Sequence, residues 1–231
     1  MGMKITLLGT GVGIPHSGRA QASIAVQGEE LLLLDCGAGA LLRMSEAGIK
    51  PAMVDAVLCS HLHLDHVSDL LAIAKARWLQ DQPFMRIYGP PGIERWFRMV
   101  HPAFKYLEGL EVSIKEVFPE ESFSIGSLDV MAAEAVHSIS AIGYRIDGSC
   151  SIAYSGDTEP CSDIADMSRG ADLLIHECSF PDPFDVTNHS TPSGIGEKIR
   201  DVSRIVLTHF YPESIGHENE MAAQVAGMTG S

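Results

Sequence analysis

The segment Cys59-Ser60-His61-Leu62-His63-Leu64-Asp65-His66 gathers three of the chain's ten histidines and an aspartate into six residues. It follows an apolar run over 55–59 that reads as a short strand. Imidazole and carboxylate are ligands that zinc, manganese and iron all accept. A solvated loop has no reason to concentrate histidine in this way. On an extended or turning segment, His61 and His63 can point to one side while the turn aims Asp65 and His66 elsewhere. One loop can then serve two ions, provided other segments deliver ligands to the same place.

Three other strand ends offer them. His137 follows the strand read over 128–136, Asp157 follows 152–154, and His209 follows 205–208. Singly, each has a bland reading. A lone histidine at a strand end is more often a satisfied surface or core residue, and Asp157 after Gly156 could be only a turn residue or a helix N-cap. Beside the first motif, four strand-then-ligand elements suggest chain segments converging on one sheet edge.

The remaining pattern is consistent with that layout. Strands are expected over 4–8, 22–26, 31–34, 55–59 and 86–88, then over 111–117, 122–125, 128–135, 141–146, 151–154, 173–176 and 204–207. Helices are expected over 40–47, 67–80, 92–101 and 214–226. Strands come first in each half and helices follow, so the fold class is α/β (α+β): two packed mixed sheets with helices on the outer faces, an αββα order. One domain is expected over 3–231, with residues 1–2 read as an expression scar. Trp78 and Trp96 read as core. Gly9-x-Gly11-x-Gly13 lacks the spacing of a dinucleotide cradle and reads as a tight turn at a site rim. His16, Ser17 and Arg19 read as solvated rim residues.

Composition excludes several classes. The 231 residues are 45% hydrophobic and 20% charged, which rules out a disordered polar chain. No apolar run approaches the roughly 20 residues of a membrane span. The net charge of −14 argues against a general polyanion binder, although bound divalent ions can create a local positive site. Five cysteines without a C-x-x-C pair suit reduced thiols, and a cytoplasmic location is expected.

The sequence resembles the metallo-β-lactamase superfamily of hydrolases, and within it the ribonuclease Z-like branch. H-x-H-x-D-H at 61–66 carries the superfamily. The branch rests on LLGTGVGIP at 7–15, LLLDCGAG at 32–39, YSGDTEPC at 154–161, ADLLIHECSF at 171–180, HST at 189–191 and IVLTHF at 205–210. The resemblance implies two divalent ions, zinc first, with manganese or iron as alternatives. His61, His63 and His137 would hold one; Asp65, His66 and His209 the other; Asp157 would bridge them. A water shared by the pair would be the nucleophile, and Asp65 would orient or deprotonate it. His189 would protonate the leaving oxygen, with Glu177 orienting its imidazole. Asp35 would steady the ligand loop from behind.

Two departures bear on substrate. Long-form bacterial ribonuclease Z carries a protruding arm that grips tRNA, between the strand after the third-histidine motif and the SGD motif. Here Gly143-Tyr144-Arg145-Ile146 reaches Ser155-Gly156-Asp157 in under ten residues. IVLTHF also continues as Tyr211-Pro212-Glu213 rather than the branch's Ser-Arg-Tyr. The expectation is therefore a dinuclear metal-dependent phosphodiesterase on a small or short substrate. The alternatives are a ribonuclease Z-type tRNA 3′-endonuclease, a lactone or ester hydrolase, and a non-catalytic metal-binding protein. No membrane partner is expected, and a homodimer is suggested by the branch alone.

Overall fold

The tetrad Leu31–Leu34 explains the architecture. All four side chains are buried, which a strand achieves only when both faces are covered. Leu31 and Leu33 point into one apolar layer, Leu32 and Leu34 into another. The computed structural model, which describes residues 2–16 and 18–231, extends this alternation through two six-stranded sheets.

The first sheet holds β1 (Lys4–Gly9), β2 (Ser23–Gln27), β3 (Leu31–Leu34), β4 (Ala56–Leu58), β5 (Phe84–Gly89) and β6 (Glu111–Glu116), in sequence order. The second holds β7 (Ser122–Ile125), β8 (Leu128–Ala135), β9 (Ala141–Asp147), β10 (Ser151–Tyr154), β11 (Leu173–Glu177) and β12 (Ile205–Thr208), again neighbour to neighbour. Each sheet begins as an antiparallel meander and ends in parallel strands.

Helices α1 (Ala40–Glu46), α2 (Leu64–Val67), α3 (Leu70–Trp78) and α4 (Ile93–Val100) join the first half, and α5 (Ser162–Ser168), α6 (Pro192–Lys198) and α7 (Glu218–Thr229) the second. Met44, Ile73 and Phe97 pack against Leu33, Val57 and Ile87 on one outer face. Ile164, Ile195 and Met221 pack with Ala153, Leu174 and Leu207 on the other. Between the sheets, Leu32, Leu34 and Leu58 meet Val130, Ile142, Tyr144 and Ile175. This is the expected αββα order, and burial of these three apolar layers is the main favourable term holding it.

Helix limits differ from expectation where one side chain redirects the chain. The helix read over 67–80 breaks at Ser68-Asp69. There the Asp69 carboxylate accepts from the Gly39 and Leu41 N–H groups (3.1 and 3.0 Å), capping the start of α1, while its own N–H donates to Cys36 O (2.9 Å). The last helix starts at Glu218 rather than 214, because Gly216 takes a left-handed φ of 90°. Helices α5 and α6 had not been expected. Alpha-6 carries Gly194 and Gly196, poor helix formers, yet a β-carbon on Gly196 would lie 2.6 Å from Met228 of α7, so glycine permits that contact. Trp78 and Trp96 are half-buried rather than core. Trp96 borders an apolar groove of about 630 Å³, and Trp78 lies under the Lys75 ammonium, 3.8 Å from its ring centroid.

The turn linking β9 to β10 spans only residues 148–150, so no arm leaves the fold there. Strands β3, β4, β8, β10, β11 and β12 each run into a residue of the expected site at their C-terminal ends, the edge at which open α/β sheets place ligands. No helix among the described residues is long and apolar enough to cross a membrane.

Candidate metal centre

The structure brings all seven expected ligands together. His61, His63, His137 and Asp157 form one group, and Asp65, His66 and His209 a second. His61 Nε2 lies 3.0 Å from His63 Nδ1, which lies 3.1 Å from His137 Nε2. His66 Nε2 and His209 Nε2 are 3.3 Å apart. Asp65 Oδ2 lies 3.6 Å from His209 Nε2 and 3.9 Å from His66 Nε2. A single oxygen, Asp157 Oδ2, lies 3.1 Å from His209, 3.4 Å from His66 and 3.7 Å from His61.

These contacts suit ions rather than hydrogen bonds. Metal–nitrogen bonds of roughly 2.0–2.1 Å at tetrahedral angles put neighbouring nitrogens roughly 3.3 Å apart. The far side of four imidazoles decides the protons. His66 Nδ1 faces the Asp35 carboxylate at 2.8 Å, and His137 Nδ1 faces Asn188 O at 2.8 Å. Both partners only accept, so both Nδ1 atoms carry the hydrogen. His61 Nδ1 meets Ser60 Oγ (3.0 Å), whose own proton goes to Asp35 (2.7 Å). His209 Nδ1 meets Ser179 Oγ (3.0 Å), whose proton goes to Glu177 (2.8 Å). In the neutral imidazoles this leaves four Nε2 lone pairs facing the centre, the arrangement a divalent ion requires.

Asp35 anchors the rear. Fully buried and at a left-handed φ of 55°, it also accepts from Ser60 N–H (2.7 Å) and Tyr154 O–H (2.6 Å). His209 shares that unusual backbone, at φ 62°. Gly37 allows the ligand loop to close, since a β-carbon there would collide with the Asp65 carbonyl.

Glu177 ends β11 beneath the centre. Its Oε1 lies 3.4 Å from His189 Nδ1, and its Oε2 accepts from Ser179 N–H at 3.0 Å. His189 Nε2 faces the Tyr211 hydroxyl at 3.3 Å. Tyr211 has its phenol raised to about 12 by burial and by the Asp157, Asp65, Glu177 and Glu213 charges, so it stays a protonated donor at neutral pH. A cavity of about 340 Å³ opens over these groups, bordered by Gly13, Ile14, Ser138, Thr187 and Tyr211. The glycine turn therefore reaches the rim. Arg19 is engaged elsewhere, donating to Thr10 Oγ1 and Glu218 (both 2.6 Å), and Ser17 lies outside the described residues.

Electrostatics separate the two groups. Burial pushes His61 down to about 2, with the His66 charge adding to the effect, and burial also lowers His63 and His137. Burial opposes a charge on His66 too, but the Asp157 and Asp35 carboxylates overcome it and hold that imidazole well above its usual range.

Sequence reasoning did not single out Ser60, Tyr154, Glu159, Ser179, Asn188 or Tyr211 as parts of this site. Most sit inside or next to the quoted motifs. Asn188 acts through its carbonyl, which any residue type supplies, so no side-chain signal marks it.

A family model described as Beta-lactamase superfamily domain matches residues 31–210. The ribonuclease Z of Mycobacterium sp. (strain KMS) is 30% identical, across 97% of this chain and 90% of that protein. Human tRNase Z, short form, superposes with a TM-score of 0.77 at 26% identity, over 91% of this chain and 93% of that one. The metallo-beta-lactamase fold protein YhfI of Bacillus subtilis shares the fold, with a TM-score of 0.85 at 23% identity over 98% and 92%. Matched over nearly its whole length by such relatives, and carrying a His/Asp donor set at its strand ends, this chain belongs to the metallo-β-lactamase superfamily as a ribonuclease Z-like, metal-dependent hydrolase.

Proposed function

We propose that the chain holds two divalent ions, zinc in the first instance, and hydrolyses a small or short phosphodiester. His61, His63 and His137 would hold one ion and Asp65, His66 and His209 the other, with Asp157 placed to serve both. Bound there, such a pair supplies Lewis acidity and a water acidified to near neutral pH. Asp65 would orient that water and take up its proton. His189 delivers a proton from Nε2 to the leaving oxygen, and Glu177 holds its Nδ1–H.

The observation that carries this reading is His189 on its Glu177 carboxylate, in a cavity that no Lys or Arg lines among the described residues. A proton donor at the rim serves an oxygen leaving group. The missing cations argue against a polynucleotide, whose affinity depends on Lys and Arg neutralising several phosphates. The tRNA 3′-endonuclease reading is kept because curated relatives are named ribonuclease Z.

The test is side-by-side turnover by the zinc- or manganese-loaded protein of a bis-aryl phosphate, cyclic nucleotides, cyclic ribose phosphates and precursor tRNA. Turnover of small diesters without tRNA cleavage is expected. A higher kcat/KM on precursor tRNA replaces this reading with the endonuclease. Activity confined to a lactone or thioester makes it a carbonyl hydrolase, and none at all a non-catalytic binder.

Acid should empty the two groups in order. A ligand imidazole must be neutral, so protons compete with metal. His66 has the raised value, so its group begins losing affinity at a pH above the ordinary histidine value of about 6.5. His61, His63 and His137 have lowered values, so their group holds to more acid pH. Elemental analysis between pH 8 and 4.5 should show a plateau near one ion per chain. A single loss of both ions together counts against this ordering.

A further inference from the structure

We propose that Glu159 is a positioning residue for the metal centre, acting through the backbone of Asn188 to fix the His137 imidazole and to place His189. Glu159 lies two residues beyond Asp157. Its N–H donates to Val136 O (2.8 Å), and Val136 N–H donates to Thr158 Oγ1 (3.0 Å). Residues 158–159 are thus zipped onto the backbone immediately before His137, where Val136 and Glu159 form an isolated antiparallel bridge.

The side chain reaches a third segment. Glu159 Oε1 accepts the Asn188 N–H at 2.7 Å. Asn188 has a left-handed φ of 65°, a conformation that costs a non-glycine residue energy and persists only where its surroundings impose it. Here it is gripped from both sides, its N–H by Glu159 and its carbonyl by His137 Nδ1 at 2.8 Å. Because a carbonyl only accepts, this second bond fixes His137 as the Nδ1–H tautomer. Nε2 then turns towards His63 Nδ1, 3.1 Å away. The next residue is His189, so the same turn sets that imidazole. No Lys or Arg pairs with Glu159 among the described residues, and the Asn188 N–H is the partner of its Oε1. Glu159 therefore fastens together the segments carrying Asp157, His137 and His189.

The proposal rests on the ligand set assigned above but needs no substrate, so it can fail while the phosphodiesterase reading stands. The test compares the full-length wild type with Glu159→Ala and Glu159→Gln. Zinc affinity and stoichiometry are read by chelator competition, and the His137 tautomer by long-range ¹H–¹⁵N spectra of the metal-free proteins. In Glu159→Ala one zinc should weaken by about 10-fold, the low end of the cost of losing a ligating histidine's own outer partner, because the Asn188 carbonyl remains, and His137 should become a tautomer mixture. The other zinc should be unchanged. Glu159→Gln keeps an acceptor oxygen and should restore both readouts. Two zincs at wild-type affinity with an unchanged tautomer in Glu159→Ala would overturn the proposal. So would equal weakening of both ions with a lowered Tm, or Gln failing as fully as Ala. A wild type that takes up no zinc would remove the ligand set and the proposal with it.

Discussion

Replacing Asp157 with alanine is expected to lower kcat/KM on a bis-aryl phosphate by about 10³-fold, since a catalytic ion is worth several kcal/mol and each ~1.4 kcal/mol is tenfold. The reason is geometric. Among the described residues, Asp157 Oδ2 is the only carboxylate oxygen within 4 Å of nitrogens from both candidate ligand groups, at 3.7 Å from His61, 3.4 Å from His66 and 3.1 Å from His209. No other carboxylate among the described residues is placed to substitute for it: Asp35 is occupied by four donors, His66 Nδ1 among them, and Asp65 approaches only His66 and His209. Metal content should fall below two per chain with the activity. Asp157→Asn separates charge from shape: it keeps one acceptor oxygen at the same reach but cannot neutralise a second cation, and should lie between wild type and alanine. Two tightly held ions and activity within tenfold of wild type in Asp157→Ala would remove Asp157 from the centre.

Much of this arrangement could be read from the chain because ligand and architecture use the same residues. Each strand of the inner layers ends where its apolar run ends, and the first polar residues beyond β4, β8, β10 and β12 include the candidate ligands. Leu31–Leu34 reads as a strand, and the structure covers it on both faces. What stayed hidden depends on backbone. The break between α2 and α3 comes from Asp69 capping a helix thirty residues earlier, a contact that helical periodicity cannot reveal. Alpha-5 and α6, of seven residues each, are too short for a periodic signal, and tertiary packing overrides the glycines of α6. Likewise, the orientation of His137 depends on a carbonyl, and that of His61 on the hydroxyl proton of Ser60 going to Asp35. Residue identities named the candidate ligands, but only the fold shows which nitrogen of each histidine faces inward.

Removing His189 should affect substrates unequally. Its Nδ1 lies 3.4 Å from Glu177 Oε1 and 3.2 Å from Ser179 Oγ, leaving Nε2 towards the cavity and the Tyr211 hydroxyl. Burial opposes the imidazolium, but the Glu177 hydrogen bond and charge outweigh it and raise the pKa. In the metal-free chain the sign favours an acid: the proton is retained to higher pH than in free histidine, and is lost as pH rises through the raised value. A general acid contributes typically about 10²–10⁴-fold, but only where the leaving oxygen needs a proton. His189→Ala should therefore lose about that factor on an alkyl or ribosyl leaving group. It should leave a nitrophenyl diester nearly untouched, since a nitrophenolate departs unprotonated. Glu177→Gln, which keeps the shape but not the charge, should show the same selectivity with a smaller loss, and its pH–rate profile should fall away at lower pH than that of the wild type. Equal losses on both leaving groups would make His189 a structural or substrate-binding residue, and the proton would then have to reach the leaving oxygen from another group at the rim.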